Sequence, residues 1–223
     1  MNYIFKEEDK FKYVEIGEGR PIIILHGLMG GLSNFNGVTE FFNQNGYKVV
    51  LPELPLYSLP LLSTNVKSFA EYLKDFIDFL GFNDVILLGN SLGGHIGLLY
   101  TKLYPAKVKA LVITGSSGLY ESAMGSGYTK RSDYEVMKSK VQEVFYDPEV
   151  ASKEMVDEVF ASVNDRSKLI KTLAIAKSAI RHNMSADLPA MKQPTCLIWG
   201  KQDVVTPPEV AVDFNKILPD SDL

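Results

Sequence analysis

Short apolar runs alternating with helix-like segments constrain the fold of this chain more than any other feature of its sequence. The runs are Pro21 to Leu25, Tyr47 to Leu51, Asp84 to Leu88, Val108 to Thr114 and Thr195 to Trp199. Each is rich in β-branched residues and bounded by turn residues, as in strands buried on both faces of a parallel sheet. Between them Val66, Phe69, Leu73, Phe76, Ile77 and Leu80 recur at three- and four-residue spacing, and Gly81 follows. That spacing predicts an amphipathic helix which stops at the glycine. Similar patterns predict helices over roughly residues 35–45, 92–104 and 208–217. Such alternation predicts an α/β fold, with a mostly parallel open sheet and helices on both faces. A ligand site is expected at the carboxyl ends of its strands.

One block departs from the alternation. From Leu119 to about Pro189 no strand pattern occurs, and helix-like segments lie around Tyr134 to Phe145, Ser152 to Val163 and Ser167 to Arg181. The simplest organisation is one core made of residues 1–118 and 190–223, interrupted by a helical cap at 119–189. The small polar runs Gly115-Ser116-Ser117-Gly118 and Met124-Gly125-Ser126-Gly127 are expected to be its flexible lead-in. A cap there would exclude water and shape a pocket; a purely structural helical layer is the plainer alternative.

Composition narrows the partners. The net charge of −4 over 223 residues offers no basic patch for phosphates, so nucleic acid is not expected and a small-molecule substrate is. A lone cysteine, Cys196, has no disulfide partner in the chain, which suits a reducing compartment, and its apolar neighbours predict a buried core residue. Lys6, Glu7, Glu8, Asp9 and Lys10 interrupt any signal-like apolar stretch, and no run approaches the ~20 residues of a membrane span. A cytoplasmic protein away from membranes is therefore expected. With neither a metal-ligand cluster nor a phosphate loop in the sequence, no cofactor is expected.

The most informative residues are Gly89-Asn90-Ser91-Leu92-Gly93-Gly94, placed directly after one strand pattern and before a helix pattern. A G-x-S-x-G turn in that setting is a nucleophile elbow. Its bend strains the serine backbone and crowds the residues two positions away, a demand that Gly89 and Gly93 meet. The helix beginning at Leu92 would aim its N-terminal amides at the same point, where negative charge is favoured.

With His26-Gly27-Leu28-Met29-Gly30-Gly31 after the first run and Trp199-Gly200-Lys201-Gln202-Asp203 after the last, the chain resembles the α/β-hydrolase family from about Phe11 to its final residue. The resemblance implies Ser91 as nucleophile and Asp203 as the acid of a triad. It makes the backbone N–H groups of Leu28 and Leu92 the oxyanion donors, with His26, Gly27, Gly89, Asn90 and Gly93 supporting them. A serine hydroxyl also needs a base, which the family supplies from a histidine in a loop after one further strand. Of His26, His95 and His182, the first belongs to the oxyanion turn, the second reads as packing behind the elbow, and the third ends the cap. The base is thus expected beyond Leu223, with a last strand and helix missing from a C-terminally truncated chain; that strand would begin near Ser221.

A serine at the elbow argues against epoxide opening and halide displacement, which use aspartate in this family. Hydrolysis of a small carboxylic ester fits best. The alternative is carbon–carbon cleavage of vinylogous diketo acids, because Asn90-Ser91-Leu92-Gly93-Gly94-His95 looks like the elbow of that subfamily; Asn34 and Arg181 would then contact substrate. Against it, the His26 to Gly31 turn lacks the subfamily's usual proline. Leu54-Pro55-Leu56-Tyr57-Ser58 also departs from the Pro-Gly of many relatives. A non-catalytic binding protein on the same fold is a third reading.

Overall fold

The computed structural model describes residues 3–120 and 130–223. Among the described residues eight strands form one sheet: β1 (Lys6–Glu8), β2 (Phe11–Ile16), β3 (Arg20–Leu25), β4 (Tyr47–Pro52), β5 (Val85–Asn90), β6 (Val108–Thr114), β7 (Thr195–Ile198) and β8 (Ser221–Asp222). Their order is β1-β2-β4-β3-β5-β6-β7-β8. The pairs β1–β2 and β2–β4 are antiparallel and every other pair is parallel. The five runs read as strands are β3 to β7. The first two strands are additional, and β8 pairs with β7 from Ser221, the residue near which a further strand was expected.

Among the described residues seven α-helices accompany the sheet: α1 (Asn36–Gln44), α2 (Val66–Phe79), α3 (Leu92–Leu103), α4 (Tyr134–Gln142), α5 (Lys153–Asn164), α6 (Arg166–Arg181) and α7 (Pro208–Ile217). The sequence of α2 accounts for both of its ends. Asn65 accepts the Ser68 N–H at 3.0 Å, and Gly81 takes the left-handed conformation at φ +69° that ends it. Between them Val66, Phe69, Leu73, Phe76 and Ile77 are fully buried against the sheet. At roughly 1.5–3 kcal/mol for each large apolar side chain, this stripe outweighs the helix's intrinsic propensity.

One apolar cluster joins α2, α3 and α7 to one sheet face; a smaller one joins Phe35 and the α1 residues Val38 and Phe42 to Ile22, Ile24, Val49, Leu51 and Leu88 on the other. Where β7 alternates, Thr195 and Leu197 turn toward α7 and are buried, whereas Cys196 and Ile198 turn the opposite way and are exposed. The expectation of a buried Cys196 is thereby corrected: burial depends on the face, and its face is an open groove toward β8. No helix is long and apolar enough to cross a membrane among the described residues.

Helices α4 to α6 occupy the interval between β6 and β7, and no strand lies there among the described residues. The run Gly115 to Gly118 is not a loose lead-in. Ser116 and Ser117 are buried, Ser117 N–H donates to the Ser91 carbonyl at 3.3 Å, and Ser116 Oγ–H donates to the Ser117 carbonyl at 2.8 Å. Small side chains here permit close packing against α3 rather than mobility. Met124 to Gly127 lies outside the described residues.

Candidate active site

Strand β5 ends in Asn90, and Ser91 turns the chain into α3 with φ +52° and ψ −116°. That conformation is costly for a residue with a Cβ, by about 1–3 kcal/mol, and persists only where packing enforces it. The packing is visible in the flanking glycines. A Cβ on Gly93 would lie 2.1 Å from the Leu25 carbonyl oxygen, and one on Gly89 would lie 2.5 Å from the Gly93 backbone. Ser91 N–H donates to the Thr114 carbonyl at 3.0 Å, and Asn90 Nδ2 donates to Thr114 Oγ1 at 2.9 Å, so the elbow is tied to the end of β6.

The turn after β3 lies against the elbow, since a Cβ on Gly27 would lie 3.2 Å from Asn90 Oδ1 and 3.5 Å from Ser91 Cβ. His26 orients this turn. Its ring is buried, Nδ1 bonds the Gly27 carbonyl at 2.8 Å, and Nε2 bonds the Leu54 N–H at 3.0 Å. A carbonyl only accepts and an amide only donates, so the ring must be neutral with its proton on Nδ1. Burial also holds its pKa below the ordinary histidine value. With the Gly27 carbonyl turned onto His26, the Leu28 N–H of the same trans peptide faces away from the ring. The Leu92 N–H, at the first position of α3, has no carbonyl within its own helix to bond.

Asp203 lies in the turn between β7 and α7. Its Oδ1 accepts the N–H groups of Val205 and Thr206, both at 2.9 Å, and its Oδ2 accepts Thr206 Oγ1–H at 3.0 Å. The carboxylate therefore organises its own turn. Oδ2 also lies 3.1 Å from where a Cβ on Gly115 would be, so Asp203 and Ser91 flank the end of β6.

None of the three histidines is hydrogen-bonded to Ser91 Oγ. His26 is engaged as above. His95, fully buried on α3, bonds His182 Nδ1 through Nε2 at 3.0 Å and Ser117 Oγ through Nδ1 at 3.3 Å. Burial, with His182 beside it, pushes the His95 pKa down to about 3. Two rings held neutral by the fold bind protons more weakly folded than unfolded, so stability is complete above the unfolded value near 6.5 and is lost as pH falls below it. Urea titrations are expected to show lower stability at pH 5.5 than at pH 7.5, with His95 contributing on the order of 1 kcal/mol of the difference, and His95→Gln should reduce it. An equal pH dependence in that variant would contradict the assignment.

A cavity of about 740 Å³ opens beside the turn, lined by His26, Leu28, Leu54, Leu56 and Tyr57 below and by Glu158, Val159 and Lys168 of the helical insertion above. Leu54 and Leu56 form its apolar floor, which gives the unusual Leu54 to Ser58 segment a structural role that sequence reasoning did not find. Tyr57 fastens the insertion to this floor. Its Oη bonds Thr172 Oγ1 at 3.2 Å, its carbonyl accepts Lys171 Nζ–H at 2.7 Å, and Lys168 Nζ lies 5.7 Å from its ring centroid. Replacing Tyr57 by Ala removes the hydroxyl bond and the ring but keeps the carbonyl, so a loss of about 1–2 kcal/mol is expected. Faster limited proteolysis within residues 130–181 should accompany it; unchanged cleavage would deny the fastening role.

Of the sequence candidates only His26 and Leu28 line this cavity; Ser91, Leu92 and Asp203 do not, nor do Asn34 and Arg181. Asn34 is exposed, on the 3-10 turn Leu32–Phe35, with Nδ2 3.3 Å from the Cβ position of Gly30. Arg181 is exposed at the end of α6 and lines a different hollow with Lys67 and His182.

Residues 20–161 match the sequence profile of the alpha/beta hydrolase fold. The chain is 59% identical to MGS-MChE2, described as an alpha/beta hydrolase enzyme from the metagenome of sediments of the Mar Chica lagoon, Morocco; it superposes with a TM-score of 0.81, covering 99% of this chain and 85% of that one. It is 27% identical to Lipase 1 of Psychrobacter immobilis, over 95% of this chain and 71% of the relative. It is also 24% identical, over 94% of this chain and 81% of the relative, to a 2-hydroxy-6-oxononadienedioate/2-hydroxy-6-oxononatrienedioate hydrolase of a Pseudomonas species.

Proposed function

The chain belongs to the alpha/beta hydrolase fold family, and we propose that it is a serine hydrolase which cleaves small carboxylic esters through an acyl-enzyme on Ser91. The observation that carries this reading is the strained Ser91 backbone at φ +52°, set beside Gly27 at the start of α3. Strain of this kind, held by the surrounding packing, clusters at active sites.

In the proposed reaction Ser91 Oγ attacks the acyl carbon while its proton passes to an imidazole. The N–H groups of Leu28 and Leu92 hold the oxyanion, each contributing ~3 kcal/mol of transition-state stabilisation. Collapse expels the alcohol, which takes the proton, and water then releases the acid by the reverse sequence. Asp203 orients the imidazole. We place that imidazole after β8, beyond Leu223, because His26, His95 and His182 are all committed elsewhere. The cavity above Leu28 takes the apolar part of the substrate and α4 to α6 cap it, which divides the chain into a core of residues 1–118 and 190–223 and a cap at 119–189. A single cysteine and a cavity of this size suit a cytoplasmic enzyme for small molecules.

Carbon–carbon cleavage is the second reading, supported by the elbow residues Asn90 to His95 and by the 24% identical relative that acts on such a substrate. A panel of p-nitrophenyl esters against a vinylogous diketo acid separates the two. Fluorophosphonate labelling located to Ser91 by mass spectrometry tests what they share, and a serine that stays unlabelled in every form of the protein favours a binding role instead.

A further inference from the structure

Between α2 and α6 lies a hollow of about 550 Å³ that the proposed reaction does not use. Its lining includes Lys67, Lys177, Arg181, Ser178 and His182, and no carboxylate. The three cations are exposed, and none takes part in an ion pair among the described residues. Elsewhere among the described residues Lys10, Lys12, Lys48, Lys74, Lys102 and Lys107 each meet an acid, whereas Lys109, Lys138 and Lys192 share the lack of an ion pair but line no hollow together. What sets these three apart is that they share one concavity with no carboxylate in its lining, where like charges repel.

Helix electrostatics explain part of it. Arg181 sits in the last turn of α6 and Lys177 one turn earlier, where the carbonyl end of the helix favours positive charge. Lys67 has no such reason. It is the second residue of α2, whose amide end repels a cation, and α2 has no acidic residue in its first turn. Bringing Lys67 to Arg181 and Lys177 therefore opposes both the helix field and like-charge repulsion. Ser178 adds a donor: its Oγ accepts the Val66 N–H at 3.2 Å, leaving the hydroxyl proton without a partner among the described residues.

We propose that this hollow binds the phosphate group of a small soluble molecule. A tetrahedral dianion can accept a forked pair of bonds from Arg181 while meeting Lys67, Lys177 and the Ser178 hydroxyl from other directions, which a single carboxylate does less completely. The site is joined to the elbow. His182 lines the hollow and bonds His95, whose N–H donates to the Ser91 carbonyl at 3.2 Å, so an occupant that fixes the His182 ring also fixes α3 behind Ser91.

The test is titration of the protein with inorganic phosphate at low salt, followed by calorimetry and by the imidazole NMR signals of His182 and His95. One saturable site with a Kd on the order of millimolar is expected for exposed cations. It should shift the His182 signals most, and the double variant Lys67→Gln, Arg181→Gln should weaken it at least tenfold. Lys67→Gln alone removes a cation from the amide end of α2, so its thermal unfolding should be unchanged or higher. Equal affinity in parent and double variant, or signals that move only elsewhere, would overturn the site. Sedimentation with phosphatidic acid vesicles without any binding of free phosphate would overturn the assignment to a soluble ligand.

Discussion

Joined to a C-terminal segment that carries a histidine in the loop after β8, the chain is expected to gain about 10²–10⁴-fold in p-nitrophenyl acetate turnover, the range a positioned general base supplies. Ser91→Ala is expected to remove all of that gain. The reasoning is one of coupled parts: a hydroxyl without a base and a base without a hydroxyl are nearly equivalent to having neither. In the 223-residue chain alone, where the three histidines are bonded to Gly27, Leu54, Ser117 and one another, the same substitution should change the rate little. Both forms retain only the ~10³–10⁴-fold over water that oxyanion donors and binding provide. Two results would end the proposal. One is an extended Ser91→Ala protein as active as its parent. The other is full activity in the 223-residue chain that disappears in His182→Gln, which would put the base inside the helical insertion.

Gly93→Ala is expected to cost upward of about 4 kcal/mol or to abolish folding. A Cβ there would meet the Leu25 carbonyl oxygen at 2.1 Å, its carbon at 2.5 Å and the His26 oxygen at 2.8 Å, all of them backbone. These atoms cannot retreat without opening the β3–β5 ladder, in which Leu25 pairs with Gly89. Costs of that size arise from few mechanisms, and overpacking against immovable backbone is one. For the case in which the variant does not fold, two companions keep the expectation measurable. Ser91→Gly relieves the φ of +52° and should raise stability by about 1 kcal/mol. Gly37→Ala, inside α1 with nothing within 4 Å of its Cβ position, should also stabilise, by roughly 0.5–1 kcal/mol. Urea midpoints for the three decide the matter, and a Gly93→Ala protein within about 1 kcal/mol of its parent would mean that the elbow is not packed against β3.

Strands β3 to β7 and helix α2 were legible in the sequence because burial on both faces, or along one stripe, leaves a period that few other arrangements produce. Strands β1 and β2 were not. β2 alternates Phe11, Lys12, Tyr13 with charged neighbours, and β1 is three exposed residues; the two-residue period of Phe11 and Tyr13 was the available signal. Cys196 was misjudged for a related reason. An apolar run does not reveal that only one face of its strand is covered.

Ser91, its two glycines and the histidine-glycine turn follow from the sequence by itself, because a positive φ and a missing Cβ are demands made on individual residues and only certain residues can meet them. The company those residues keep was decided by the tertiary structure. His95 and His182 are 87 positions apart, and Tyr57 and Thr172 are 115 apart. Whether such groups meet depends on how the helical insertion settles on the sheet, which is fixed by the sum of many packing contacts and carries no mark at either residue.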